Sequence, residues 1–455
     1  MKSKKEAMKK FLFPRVEKKR SIKRSDWVQS QLAQVDKDLS TILPRWISKK
    51  SDYWRYSDIS IARRLLEGWM IGVGEDISDV LAHLPTSENL LTSKVDSSLT
   101  EGIDGYFLLF QNGVLNVECS NLPSPSDGFK VMSLPTLLDD DDKYHSFLNS
   151  FENFFSKQLL EGEDVPIQQL FYRLVLTCQS TFTYIDIADK AVFDKPFYAI
   201  FFDSKNLGGL VLPSHLHLNM GEDSQMSLIE MHRKEHVSAH FHSFSLQLQP
   251  SASLKHFCQL NDAPSVCHHH RMDISQLEKS ALYACGFVGK NDSAVIQRQS
   301  VIRGEDADCQ LYGLYRLDNN QNVDHILSVK HMVGKTTSLQ HFKGIMRGES
   351  SASFTSNVYV AKDAQHVSSS QLNQSLLLEK GTRVNTRPQL EIYADDVKCG
   401  HGATVGPIDE DQVFYLRSRG ISEEMASKML ADAFVRDFQS QFSKEFDIKS
   451  DFINV

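Results

Sequence analysis

The sequence lacks any run of the roughly 18 consecutive apolar residues that a membrane helix needs, which excludes a helical membrane span. It also lacks a Cys-x-x-Cys pair. Its seven cysteines (Cys119, Cys178, Cys258, Cys267, Cys285, Cys309 and Cys399) are odd in number and widely spaced, unlike a disulfide framework, and point to a reducing compartment. No Gly-x-Gly-x-x-Gly or Gly-x-Ser-x-Gly is present, so the common dinucleotide and serine-hydrolase signals are missing. An apolar leader followed by a cleavage site is absent too, and the expected location is cytoplasmic. Basic residues are outnumbered, 50 Lys and Arg against 58 Asp and Glu, and the net charge of −8 argues against a surface built to coat nucleic acid. What is there is ordinary: 41% hydrophobic and 24% charged residues exclude bulk disorder. At about 100–200 residues per domain, 455 residues imply two to four units.

Four segments differ in texture. Residues 1–24 carry eleven Lys and Arg against Glu6 and Glu17, which reads either as a solvated, frayed helix or as an arm for an acidic partner or nucleic acid. Residues 25–180 read as a helical and mixed domain. Trp27, Leu32, Val35 and Leu39 recur at helical spacing, as do Ile59 to Trp69, and Phe147 to Leu160 forms another amphipathic pattern. Within this domain Gly105–Phe110 and Val114–Glu118 are strand-like and flank Asn112-Gly113, the strongest short hairpin signal. Asp139–Asp142 marks an acidic boundary.

Over 181–407 short alternating segments recur (Leu216–Met220, Ser243–Leu248, Gln310–Tyr315, Ile326–Val329, Asn357–Val360, Leu390–Tyr393) with polar stretches between them. Such spacing means a sandwich, a barrel or a solenoid. The span is long for a sandwich, so stacked coils are expected, mainly β and without a strict hexapeptide. Residues 408–455 return to helix. Asp409-x-x-Gln412 reads as a capping box, Gly420 as a left-handed stop, and Ser422 with Glu423 and Glu424 as a second start. Leu430, Phe434, Phe438 and Phe442 then step by four into one apolar stripe, which is core, a partner surface, or some of each.

Three motifs bear on chemistry. Val333-Gly-Lys-Thr-Thr337 resembles the end of a phosphate loop. Val329 stands where the first glycine belongs, and the surroundings are strand followed by strand, so nucleotide binding is rejected there. In Cys267-His268-His269-His270 neighbouring side chains point to opposite faces, so at most two imidazoles can meet one ion. Thirteen of the seventeen histidines lie from His215 to His341, and most are expected to face solvent or bond to adjacent coils. Cys399-Gly-His401-Gly, by contrast, places thiol and imidazole on one face of a strand about 7 Å apart, with glycines that admit another backbone or an inorganic cluster. Two ligands are too few for an iron–sulfur site, which wants about four, so any cluster here is shared.

The run Arg387-Pro-Gln-Leu-Glu-Ile-Tyr-Ala-Asp-Asp-Val-Lys-Cys-Gly-His-Gly-Ala-Thr-Val-Gly406, continued by Ile408 to Ile421, resembles the SufB/SufD scaffold family of the SUF iron–sulfur assembly system, on its SufD side. The likeness is dense over 387–434 and looser around Gln340, Lys343, Gly344 and Asn373–Leu378. It implies a right-handed parallel β-helix core flanked by an N-terminal helical or mixed domain and a C-terminal helical domain. It implies a non-enzymatic scaffold paired with a SufB-like paralogue, with a SufC-like ABC ATPase docked on the C-terminal helices and no nucleotide bound by this chain. It also implies a transient iron–sulfur cluster at the paralogue interface on His401, with Cys399 as the weaker candidate ligand. Leu416, Ile421, Leu430, Phe434 and Phe438 are then the expected docking residues. A carbohydrate-active β-helix enzyme is disfavoured, because the strands are poor in paired carboxylates. An adaptor without metal remains the other reading.

Overall fold

The computed structural model describes residues 96–133, 181–203, 211–234, 239–263, 266–289 and 293–446. The basic arm, the helical patterns of 25–95, the acidic boundary at Asp139–Asp142 and the Phe147–Leu160 helix lie outside the described residues. Among those described, the first strands are β1 (Tyr106–Gln111), β2 (Val114–Leu115), β3 (Phe129–Ser133), β4 (Phe182–Ile187) and β5 (Phe197–Phe202). Then come β6 (Val211–Met220), β7 (Gln225–Arg233), β8 (Ala239–Leu248), β9 (Ser253–Leu260), β10 (Cys267–Gln276), β11 (Ala281–Val288) and β12 (Ser293–Ile302). The last are β13 (Asp308–Leu317), β14 (Asn322–His331), β15 (Thr337–Met346), β16 (Ser351–Val360), β17 (Ser368–Leu377), β18 (Arg383–Ile392) and β19 (Lys398–Pro407). Two helices follow, α1 (Glu410–Ser418) and α2 (Glu423–Phe446).

From β4 onward the strands alternate between two sheets and pair in parallel with the strand two places on. Each consecutive pair is therefore one turn of a parallel β-solenoid, about seven turns from β6 and β7 to β18 and β19. Residues stacked in neighbouring turns stand 26 to 33 positions apart. This long, loose period is why no short repeat is visible. The Asn112-Gly113 pair joins β1 and β2 as an antiparallel hairpin, both residues with positive φ (55° and 82°) as a two-residue turn demands. The hairpin extends one solenoid sheet, β1 lying parallel to β5.

Corners repeat one device. Lys190, Asp223, Ser251, Lys279, Lys335 and His366 all adopt left-handed backbone. The amide of each donates to a carbonyl of the next coil, as in Ser251 N–H to Glu278 O at 2.8 Å and Lys279 N–H to Glu305 O at 2.9 Å. Corner amides that would otherwise be orphaned are paired rung by rung. Val333-Gly-Lys-Thr-Thr337 is one such corner. It leads from β14 into β15, and Lys335 is paired with Glu305 at 2.8 Å.

Alternation along the strands sorts side chains into the interior and onto the outer faces. Leu216, Leu218, Met220, Phe244, Leu246, Leu248, Met272 and Ile274 from one sheet meet Leu228, Leu254, Leu282 and Ala284 from the other in a continuous apolar interior. Helix α2 lies on the outer face of the other sheet, where Ala431, Val435 and Phe438 pack with Phe257, Cys285, Tyr312 and Ile345. The helix ends are set locally. Asp409 accepts the Asp411 amide at 2.9 Å and Gln412 does not reach back, so the expected capping box reduces to a single Asp cap. Gly420, at φ 84°, closes α1 with two bonds, Gly420 N–H to Arg417 O and Ile421 N–H to Leu416 O. Ser422 Oγ accepts from the Met425 amide to start α2.

Many histidines are interior. Burial pushes His217 and His325 down to about 3 and His331 down to about 4, so they are neutral in the fold, whereas in an unfolded chain they titrate near 6.5. Between pH 6.5 and about 4 the unfolded state binds more protons. Stability is then full above pH 6.5 and falls on acidification, each histidine contributing up to about 1.4 kcal/mol per pH unit. Urea midpoints are expected to hold steady from pH 8 to 7 and to drop from pH 7 to 5. Equal midpoints at pH 7 and 5 would contradict this account.

Candidate functional site

Cys399 and His401 lie two apart on β19 and so share a face, as the motif requires. Among the described residues β19 is the last strand of its sheet and β18 the last of the other, each paired on one side only. The final turn thus exposes two rows of unpaired backbone groups. Its interior-side residues are uncovered as well. In β16, one turn earlier, Ala352, Phe354, Ser356, Val358 and Val360 are all buried. In β18 and β19, Val384, Thr386, Pro388, Leu390 and Cys399 are only half-buried, and His401 is exposed. Ile392, Tyr393 and Val405 add exposed apolar surface to the same turn.

His401 stands in register over Gln371, and Cys399 over Ser369. Beneath them the interior becomes polar: Gln371 Nε2 donates to Ser356 Oγ at 2.6 Å, and Ser356 Oγ–H in turn donates to Gln340 Oε1. Desolvation raises the Cys399 thiol above its ordinary value, against a smaller opposing effect of the Ser369 backbone. The imidazole of His401 is therefore the more available donor of the two. A Cβ placed on Gly400 or Gly406 would meet nothing within 4 Å, so the opposite face of β19 is open to a neighbouring backbone.

The helical pair divides the residues expected to dock a partner. Phe438 is 1% exposed, inside the contact with the sheet, and Phe434 is half-buried. Lys343 Nζ lies 4.9 Å from the centroid of the Phe434 ring and donates to Phe434 O at 2.8 Å. Phe438 is thus removed from the partner surface. An i, i+4 stripe on a helix that folds back against a sheet is consumed by that sheet. Leu416, Ile421 and Leu430 remain half-buried. The outward apolar surface is instead Phe414 (72% exposed), Tyr415, Met425 and Met429, four residues that the stripe did not indicate.

A third constellation is internal. His268 and His270 point inward together from β10, with His240 and His242 stacked beneath them on β8. Across the bend, β7 contributes Glu230 and His232, and β9 contributes His256 and Cys258. Glu230 accepts from His232 Nε2, from His270 Nε2 at 3.0 Å and from His256 Nε2 at 3.0 Å. Burial alone would raise its carboxyl, but the nearby His242, His270 and His232 hold it well below the usual range. Of the two expected settings, solvent or a bond to adjacent coils, these histidines take the second. They bond to neighbouring coils, as expected, but from inside, because their strand positions share parity with Met272 and Ile274. The six described cysteines are free, four of them buried.

The family model described as SUF system FeS cluster assembly, SufBD core domain, matches residues 202–434, from the end of β5 into α2. The chain belongs to the SufBD family. It is 26% identical over 428 residues to the iron–sulfur cluster assembly protein SufD of Escherichia coli strain K12, covering 93% of this chain and 90% of that one. It is 24% identical over 429 residues to the chloroplastic protein ABCI7 of Arabidopsis thaliana, covering 90% and 82%. A segment of 115 residues, 25% of each chain, is 41% identical to the SufBD family protein slr0076 of Synechocystis. The solenoid expected from the alternating segments and from the resemblance is the SufBD core. Among the described residues no helix is long and apolar enough to cross a membrane.

The internal cluster around Glu230 is what sequence reasoning missed in this SufBD chain. Its signal was present: His240-x-His242 and His268-x-His270 are two copies of one pattern 28 residues apart, which is the length of a turn.

Proposed function

We propose that the chain is a non-enzymatic scaffold subunit of a cytoplasmic SUF assembly complex. Its final solenoid turn pairs with a SufB-like paralogue, and its helical pair docks a SufC-like ABC ATPase. A nascent iron–sulfur cluster is the cargo, held across the paired turns with His401 contributing a ligand and Cys399 beside it. The observation that carries this reading is the uncovered last turn, which presents His401 together with free strand edges and exposed Ile392, Tyr393 and Val405. A solenoid end of this kind needs a cap or a partner. Strand edges pair by backbone hydrogen bonds, and the apolar side chains supply affinity. ATP bound and hydrolysed on the partner shifts the scaffold only if the ATPase binds two of its arrangements differently. The helical pair is the lever for that difference.

Co-expression with a SufB-like and an ATPase subunit tests the reading. Both are expected to co-purify with the intact chain. Tyr393→Asp combined with Val405→Asp is expected to release the paralogue and keep the ATPase. Phe414→Asp combined with Met425→Asp is expected to do the reverse. ATP turnover by the chain alone, or failure to retain either subunit, would overturn it.

A further inference from the structure

We propose that His232, His240 and His268 form a buried binding site for one divalent first-row transition-metal ion, inside the solenoid and separate from the final turn. One ring nitrogen from each of the three lies within 4.8 Å of the other two. All three side chains are fully buried.

The hydrogen bonds decide which nitrogens are available. His268 Nδ1 is held by Asp262 Oδ2 at 2.6 Å, which leaves Nε2 buried without a partner. His232 gives Nε2 to Glu230, and its Nδ1 is buried without a partner. His240 Nε2 faces Ser214 Oγ at 2.8 Å, and its Nδ1 is likewise unpartnered. Ser214 Oγ also lies 2.8 Å from His242 Nδ1, and His242 Nε2 lies 3.3 Å from Glu230. His242 Nε2 makes no hydrogen bond, but the Glu230 carboxylate at 3.3 Å favours a proton there; Ser214 Oγ–H then donates to His242 Nδ1 and accepts His240 Nε2–H. Each ring then has its N–H spent on an oxygen and its lone pair turned into a dry interior. Such lone pairs are costly when nothing donates to them. An oxygen partner on the far nitrogen, a carboxylate above all, is also the arrangement that orients and strengthens a metal-ligating imidazole.

Three neutral nitrogens suit zinc, cobalt or ferrous ions better than calcium or magnesium, which prefer oxygen. A tetrahedral ion with bonds of about 2.0–2.1 Å holds its nitrogens about 3.3 Å apart, a modest closing of the three rings. The opposing charge near His240 is the Lys234 ammonium, tied to Phe202 O at 3.0 Å. The Glu230 and Asp262 carboxylates outnumber it. A second set, Glu230, His232, Cys258 and His270, also lies within 4.8 Å. There, however, Glu230 is already bonded to His232, His270 and His256 and would have to give up those contacts to ligate an ion, so the three-histidine set is the better donor group.

The full chain, expressed alone in medium supplemented with zinc or cobalt so that the ion can enter as the solenoid folds, is purified through a chelator wash. About one ion per chain is expected by mass spectrometry. Cobalt should give the visible bands of a tetrahedral site without a sulfur-to-metal charge-transfer band. Asp262→Asn, which keeps the shape but loses the orienting charge, is expected to weaken binding about 10–100-fold. His240→Gln with His268→Gln should remove the ion. Cys258→Ser and His401→Ala should retain it, and the latter separates this site from the proposed assembly surface. A wild-type chain without a retained ion overturns the proposal. So does undiminished binding in Asp262→Asn, or loss of the ion in Cys258→Ser. Should the double variant fail to fold, the wild-type, Asp262→Asn and Cys258→Ser measurements decide alone.

Discussion

Complexes reconstituted with His401→Ala are expected to lose nearly all of the iron and sulfide that the wild-type complex retains under anaerobic conditions, with subunit composition unchanged. The side chain is exposed on an edge strand and supports no packing, so its removal leaves the fold intact. Cys399→Ser is expected to do less. Its thiol is half-buried against the apolar interior, and desolvation keeps it from ionising readily, whereas a metal ligand must be the thiolate. Iron and sulfide per complex, read beside ATPase rate and gel-filtration profile, separates loss of a ligand from loss of assembly. Full cluster content in the His401→Ala complex would leave the adaptor without metal as the correct reading.

Phe438→Ala has the largest expected effect on stability. The ring is enclosed by Tyr312 at 6.1 Å and His341 at 5.3 Å between centroids, under the helix and against the sheet. Truncating a buried Phe costs about 3–5 kcal/mol. Much of that loss should fall on α2, because Ala431 and Val435 offer small contacts and the Lys343 bond to Phe434 O cannot hold the helix by itself. Hydrogen exchange is expected to accelerate throughout α2 while the β6–β16 turns stay protected, and ATPase docking should weaken in step. Equal protection of α2 in variant and wild type would show that the contact holds nothing.

Local chemistry was legible and distant stacking was not. Asn112-Gly113, Gly420 and Ser422 each act through neighbours a few residues away, and each behaves in the structure as its sequence context dictates. The alternating segments marked strands because sidedness is a local property. The internal cluster depends on residues 26 to 40 positions apart meeting across turns, as Glu230 meets His256 and His270. Without the coil length no spacing rule connects them. Phe438 shows the same limit: its period places it on a stripe, and only the return of α2 onto the sheet determines what covers that stripe. The terminal Cys399-Gly-His401 motif was legible as a pair, but its setting on an unpaired edge follows from the number of turns, which the motif does not encode.

The path of α2 has a mechanical consequence. Rather than hanging from the last rung, the helix lies across several, sharing one apolar cluster with Ile345 of β15, Tyr312 and Leu314 of β13, Cys285 of β11 and Phe257 of β9. A tug delivered at the exposed end of the helices is spread sideways over four rungs and resisted in shear, instead of unzipping the final strand one bond at a time. An ATPase docked there as proposed would then load this chain without peeling away the edge on which His401 sits.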